Sequence, residues 1–178
     1  AQGLWVFVYD KRGTARSEGE YTQNFELLAD DAAAALAEAR RLAAGRYRRA
    51  GYYGGSQGGW VAPLAATRSA ADFVAVGFGL VLSPVDEDRE QVVGDLRAAG
   101  FGDREIAASR QVTDATADVV RSHFASGFDE LERVRKKYGT APWFSAIRGE
   151  FSGDLLGTPV ADLRRIGRAR YDNVHVIW

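Results

Sequence analysis

The sequence predicts an α/β fold, a parallel doubly wound sheet with a helical cap insertion after its third strand. Three observations carry this. Apolar runs at 4–9, 49–54 and 73–82 are separated by helical patterns at 24–44 and 57–68. The first and third runs lack the polar–apolar alternation of a half-exposed strand, so they read as strands buried on both faces. From residue 83 the strand pattern stops and capped helical patterns follow one another. Strand-helix-strand order implies right-handed crossovers and parallel pairing.

Taken in order, 4–9 is a run of aromatic and β-branched residues, followed by a polar, glycine-punctuated loop from Asp10 to Gly19. The second element places Phe25, Leu28, Ala32, Ala35, Leu36, Ala39 and Leu42 at helical spacing, and Gly45 is expected to stop it. A short strand at 49–54 runs into Gly54-Gly55-Ser56-Gln57-Gly58-Gly59. The helix over 57–68 contains Pro63, which predicts a bend. Ser83-Pro84 reads as an N-cap with proline at the first helical position, opening a helix that ends at Gly100. Asp103 is expected to cap a second helix reaching to about Ala125. Gly127 separates a third over 128–138, with Phe128, Leu131, Val134 and Tyr138 on one face. Residues 139–160 read as loop, and 160–166 as a short helical stretch.

Composition bounds the function classes. The chain has 178 residues, enough for one domain with a sizeable core. With 46% apolar and 26% charged residues it has the balance of a soluble globular protein. A net charge of −1 gives no pull toward nucleic acid or an anionic membrane. The lack of cysteine excludes disulfides, thiolate metal sites and a cysteine nucleophile. No run approaches the roughly 18 apolar residues of a membrane span, and no signal-peptide pattern opens the chain. A cytoplasmic location is thereby slightly favoured. The apolar runs at 4–9 and 174–178 lie at the two chain ends, so both ends read as cuts in a longer parent, which leaves export of that parent open.

Gly54-Gly55-Ser56-Gln57-Gly58 matches G-x-S-x-G between a predicted strand and a predicted helix. A nucleophilic serine must stand on a turn so tight that side chains two residues away would collide. Gly54 and Gly58 remove that collision. The following helix aims its N-terminus at the serine, where its amides favour an oxyanion. Ser56 is therefore the candidate nucleophile and the Gln57 N–H the candidate oxyanion donor. The competing reading is a glycine-rich turn that binds a phosphate or nothing. The run fits neither G-x-x-x-x-G-K-[ST] nor G-x-G-x-x-G.

The run from Gly55 to Ala65, with Trp60 and Pro63, resembles the elbow and following helix of α/β-hydrolases of the dienelactone-hydrolase and prolyl-oligopeptidase-like type. Val8-Tyr9-Asp10-Lys11-Arg12-Gly13, continuing to Ser17 and Gly19, resembles the loop that precedes it in that family. The resemblance implies an α/β-hydrolase core over 1–83, a helical cap or lid over 84–158, and a truncated return to the core over 159–178. It implies hydrolysis of an ester or related acyl bond of a small-molecule substrate through an acyl-serine intermediate, with no metal or organic cofactor. The alternatives are a peptidase or amidase of the same fold, or a non-catalytic binding module built on it. In the family, a second oxyanion amide lies upstream and the acid and histidine lie downstream, so these are expected outside 1–178. Tyr171-Asp172 and Trp178 loosely resemble the approach to the acid.

Other side chains capable of chemistry lie outside this motif. His123, expected on a cap helix beside Phe124, reads as structural or as a cleft residue. His175, with Asp172 or Asp162 as orienter, is a second candidate base, although it sits within an apolar run. Asp10 is expected to cap its own loop. Arg12 and Arg16 read as ion-paired or as holding a substrate carboxylate. The acids from Asp86 to Glu90 look like a metal site, but acids in a first helical turn are stabilised by the dipole. Trp143 and Phe144 line an acyl pocket or pack the cap.

Overall fold

The computed structural model describes residues 3–79, 82–148 and 151–172. The chain divides into two compact units, Ala1–Leu80 and Val81–Trp178.

In the first unit, helix α1 (Phe25–Ala43) begins where the Asn24 side chain accepts from the Leu27 amide at 3.1 Å. Glu26 at its start and Arg40 and Arg41 at its end complement the helix dipole. It stops at Ala44, one residue before the expected Gly45, because Ala44 itself turns left-handed at φ +48. Strand β1 (Tyr52–Gly55) leads into α2 (Gly58–Thr67), with Pro63 inside the helix, and then β2 (Val74–Gly77). The two strands pair in parallel, Tyr52 opposite Val74 and Gly55 opposite Gly77. α2 packs on both strands and α1 packs on α2. Phe25, Leu28, Ala29, Ala32 and Leu36 of α1 are buried, as are Trp60, Val61, Ala62 and Ala65 of α2. The Phe25 and Trp60 rings lie 6.0 Å apart.

The expected strand at 4–9 is a correction. These residues join no ladder among the described residues, and every one of their apolar side chains is exposed, from 42% at Phe7 to 83% at Val6. The apolar pattern reported a preference for burial, whereas a strand also requires a neighbour to pair with. Strand β2 is shorter than the predicted 73–82, since Phe78 at φ +60 leaves extended geometry.

The second unit is helical among its described residues. Helix α3 (Pro84–Ala98) is capped by Ser83, whose hydroxyl accepts from the Asp86 amide at 3.3 Å, with Pro84 in the first turn. Helix α4 (Asp103–Arg121) is capped by Gly102 rather than Asp103, and Glu105 accepts from the Gly102 amide at 3.1 Å. It ends at Arg121, short of the expected Ala125, because His123 and Phe124 both adopt positive φ, +55 and +59. Helix α5 (Phe128–Tyr138) follows Gly127. The 139–160 segment read as loop holds a 3-10 turn (Phe144–Ala146) and helix α6 (Ser152–Gly157). Helix α7 (Val160–Tyr171) runs beyond the predicted 160–166. α4 packs against α3, α5 and α6. Val92, Leu96, Val112, Val119, Val120, Leu131, Val134, Leu155 and Leu163 are fully buried there.

Candidate active site

Ser56 lies in the turn between β1 and α2, at φ +50. Its amide still donates to the Gly77 carbonyl at 3.1 Å, so the parallel ladder continues up to the serine. Its carbonyl accepts from the Gly59 amide at 2.7 Å, which starts the helix at once. Holding a non-glycine residue in the left-handed region costs about 1–2 kcal/mol. Such strain persists only where the surroundings impose it.

Gly54 shows what imposes it. A Cβ built there would stand 2.0 Å from the Gly58 carbonyl oxygen. At Gly58 the same construction meets nothing within 4 Å. The two glycines therefore differ: Gly54 must lack a side chain, while Gly58 contributes the backbone that crosses over it. Gly59 is a second close approach, its Cβ position lying 3.0 Å from Gly79 Cα. Gln57 is the N-cap residue of α2 in helical geometry, and its N–H donates to no acceptor among the described residues.

The loop after 4–9 meets the elbow through side chains. Lys11 Nζ donates to Gln57 Oε1 at 2.9 Å, and Gln57 Nε2 donates to Gln23 Oε1 at 2.5 Å. The Lys11 ammonium also sits 4.6 Å from the centre of the Tyr21 ring. Asp10 holds its own loop, accepting from the Arg16 amide at 3.3 Å and, through its carbonyl, from Ser17 Oγ at 2.7 Å. Arg12 forms a two-pronged pair with Asp31 at 2.6 and 2.8 Å, and this hydrogen bonding raises its pKa. No sequence pattern marks Lys11 or Gln23 as a partner of Gln57. They lie 46 and 34 residues from Gln57, beyond any local pattern.

In the second unit, His123 is in a turn and not on a helix. Its Nδ1 lies 2.9 Å from Asp172 Oδ2 and 3.1 Å from Oδ1. The Asp172 carboxylate, expected as an orienter for His175, thus bonds His123. His175 lies outside the described residues. Asp162 pairs instead with Arg165 at 2.9 Å. Asp86 is near Arg121 and Arg89 at 3.7 and 3.9 Å. Asp88 is buried, accepting from Ser152 Oγ at 2.6 Å and the Phe151 amide at 2.8 Å. Burial pushes its carboxyl pKa up, against these bonds. No cluster of three metal-ligating side chains occurs among the described residues, and no described helix is long and apolar enough to cross a membrane. Trp143 is buried, its ring 5.1 Å from Tyr138 and 6.1 Å from Phe144.

A parallel strand-helix-strand unit with a serine at its strand-to-helix turn is the build of a hydrolase of the α/β-hydrolase type, and comparison with known families assigns the chain to that class. The profile of the family described as "Serine aminopeptidase, S33" matches residues 1–101, more than half of the 178, and the chain belongs to that family. The match spans the whole first unit and runs through α3. No curated protein and no solved structure matches the chain.

Proposed function

We propose that this protein is a serine hydrolase that cleaves an ester or related acyl bond of a small molecule through an acyl-serine intermediate. Ser56 attacks the carbonyl carbon, and the Gln57 N–H stabilises the tetrahedral oxyanion. The observation that carries the reading is the left-handed Ser56 on a turn that Gly54 alone permits. Within the class, the run from Gly55 to Ala65 favours the dienelactone-hydrolase or prolyl-oligopeptidase-like branch.

The base and acid that activate Ser56 are assigned to residues outside 1–178, as is a second oxyanion amide. Residues 1–80 contain no histidine. The sheet of the first unit is likewise read as one part of a larger sheet. Tyr53 on β1 and Phe78, just past the end of β2, are 74% and 90% exposed, and the 4–9 run is bare. Apolar surface of that kind is normally covered. Residues 84–158 are assigned as a cap, on the strength of their helical build.

A second reading, cleavage of an amide or peptide bond, is favoured by the family's description as an aminopeptidase. The test of the nucleophile is labelling of the intact protein with a fluorophosphonate, followed by peptide mass mapping. The adduct is expected on Ser56, and an adduct elsewhere would remove the assignment. Aryl-ester and aminoacyl-anilide substrates then separate the two readings by kcat/KM. A non-catalytic binding module would show neither adduct nor turnover.

A further inference from the structure

Resting on the assignment of Ser56, we propose that Lys11 is a positioning residue of this active site. Acting through the Gln57 side chain, it fixes the first turn of α2 so that the Gln57 N–H faces the oxyanion.

The argument begins with donor and acceptor inventory. An ammonium can only donate, so the 2.9 Å contact requires the Gln57 carbonyl oxygen to face Lys11. The Gln57 NH2 must then face the other way, where Gln23 Oε1 receives it. Both ends of the amide are engaged, and a flipped amide would set NH2 against ammonium. The Gln57 side chain therefore has one orientation, which Lys11 dictates.

The anchor of that clamp is itself held. The Lys11 carbonyl accepts from the Thr14 amide at 2.9 Å and from Thr14 Oγ1 at 2.6 Å. Gly13 turns at φ +68, where a Cβ would stand 2.2 Å from the Tyr21 nitrogen, so the loop folds tightly against its own return. Arg12 ties the loop to α1 through Asp31. Gln23 is buried at the foot of α1. A cation from one side and a buried carbonyl from the other thus hold the residue directly after the serine. Oxyanion stabilisation depends on donors placed to within a fraction of an ångström, so releasing this clamp affects turnover more than substrate binding.

The experiment measures kcat and KM on an activated aryl ester for the intact protein and its Lys11→Met, Lys11→Arg, Gln57→Leu and Lys11→Met/Gln57→Leu variants. Lys11→Met and Gln57→Leu are each expected to lower kcat about tenfold, the scale of one charge-assisted hydrogen bond, with KM within about twofold. The double variant is expected to be no slower than the worse single one, because Lys11 acts through Gln57. Lys11→Arg, which keeps a donor, restores most of the rate. An unchanged kcat in Lys11→Met, a loss confined to KM, or losses that multiply in the double variant would each overturn the proposal. Ser56→Ala, assayed in parallel, separates the two levels of the account. Wild-type turnover in Ser56→Ala removes the nucleophile itself. Lost turnover there, beside an unaffected Lys11→Met, removes only the role of Lys11.

Discussion

The Gly58 carbonyl passes over Gly54 so closely that a Cβ on Gly54 would lie 2.0 Å from its oxygen, while Gly58 has open space at its own Cβ position. The two motif glycines therefore respond differently to alanine. Gly54→Ala forces strand and helix apart and is expected to cost about 3 kcal/mol, the upper range for overpacking. Gly58→Ala adds a methyl in open space at a helix start and is expected to be neutral or to stabilise by up to about 1 kcal/mol. Urea unfolding of the two variants checks this, and equal effects would count against the geometry.

Asp88 gives a pH dependence. Its folded-state pKa is raised, chiefly by burial. A carboxyl that binds its proton more tightly when folded favours the folded state most at low pH. That contribution is lost as pH rises from the unfolded value of 3.8 through the raised folded value. Asp88→Asn removes the titration. Its Oδ1 can still accept from the Phe151 and Ser152 amides, and its NH2 can donate to Ser152 Oγ. The Tm of wild type relative to Asp88→Asn is expected to fall as pH rises above 3.8 and to level off once the folded-state carboxyl is ionised. A difference that stays flat or rises would contradict the account. Asp88→Ala, which orphans both amides, is expected to be about 2 kcal/mol less stable than Asp88→Asn at each pH.

Gly167 on α7 faces the buried Phe124 ring, and a Cβ there would lie 2.2 Å from Cδ1. Phe124 is held by its own positive φ and by the Tyr171 ring at 6.2 Å. Gly167→Ala is expected to destabilise the second unit by about 2–3 kcal/mol. Thermal unfolding measures this, and a Tm equal to wild type would show that the ring has room to move.

The legible parts of the molecule were those set by near neighbours in sequence. Ser83-Pro84 and Gly127 mark helix starts because caps and breakers act within a few residues. The elbow could be read for the same reason, its collision involving residues four apart. Helix α6 was missed because its first amides are satisfied by Asp88, 63 and 64 residues earlier in the chain. The clamp on Gln57 and the bond from His123 to Asp172 are non-local in the same way. The 4–9 run shows the opposite error, since a strand signal carries no information on whether a partner strand is adjacent.

On the proposed placement of the base and acid outside 1–178, these residues alone are expected to hydrolyse an activated aryl ester no faster than their Ser56→Ala variant. Loss of the base from a serine protease costs on the order of 10⁶-fold. The bare apolar side chains of 4–9 and the unpaired strand edges also predict concentration-dependent association, visible by light scattering. A rate well above Ser56→Ala would place the base within the chain, and His123→Ala and His175→Ala would identify it.

The most direct test is a single measurement on the intact protein. It is mixed with an activated aryl ester, quenched during the steady state, and digested for mass mapping, with Ser56→Ala treated alongside. The account predicts an acyl adduct on the peptide carrying Ser56 and turnover at least roughly 10⁴-fold above the variant. Turnover by Ser56→Ala at the wild-type rate, or an acyl adduct on any other residue, would contradict it.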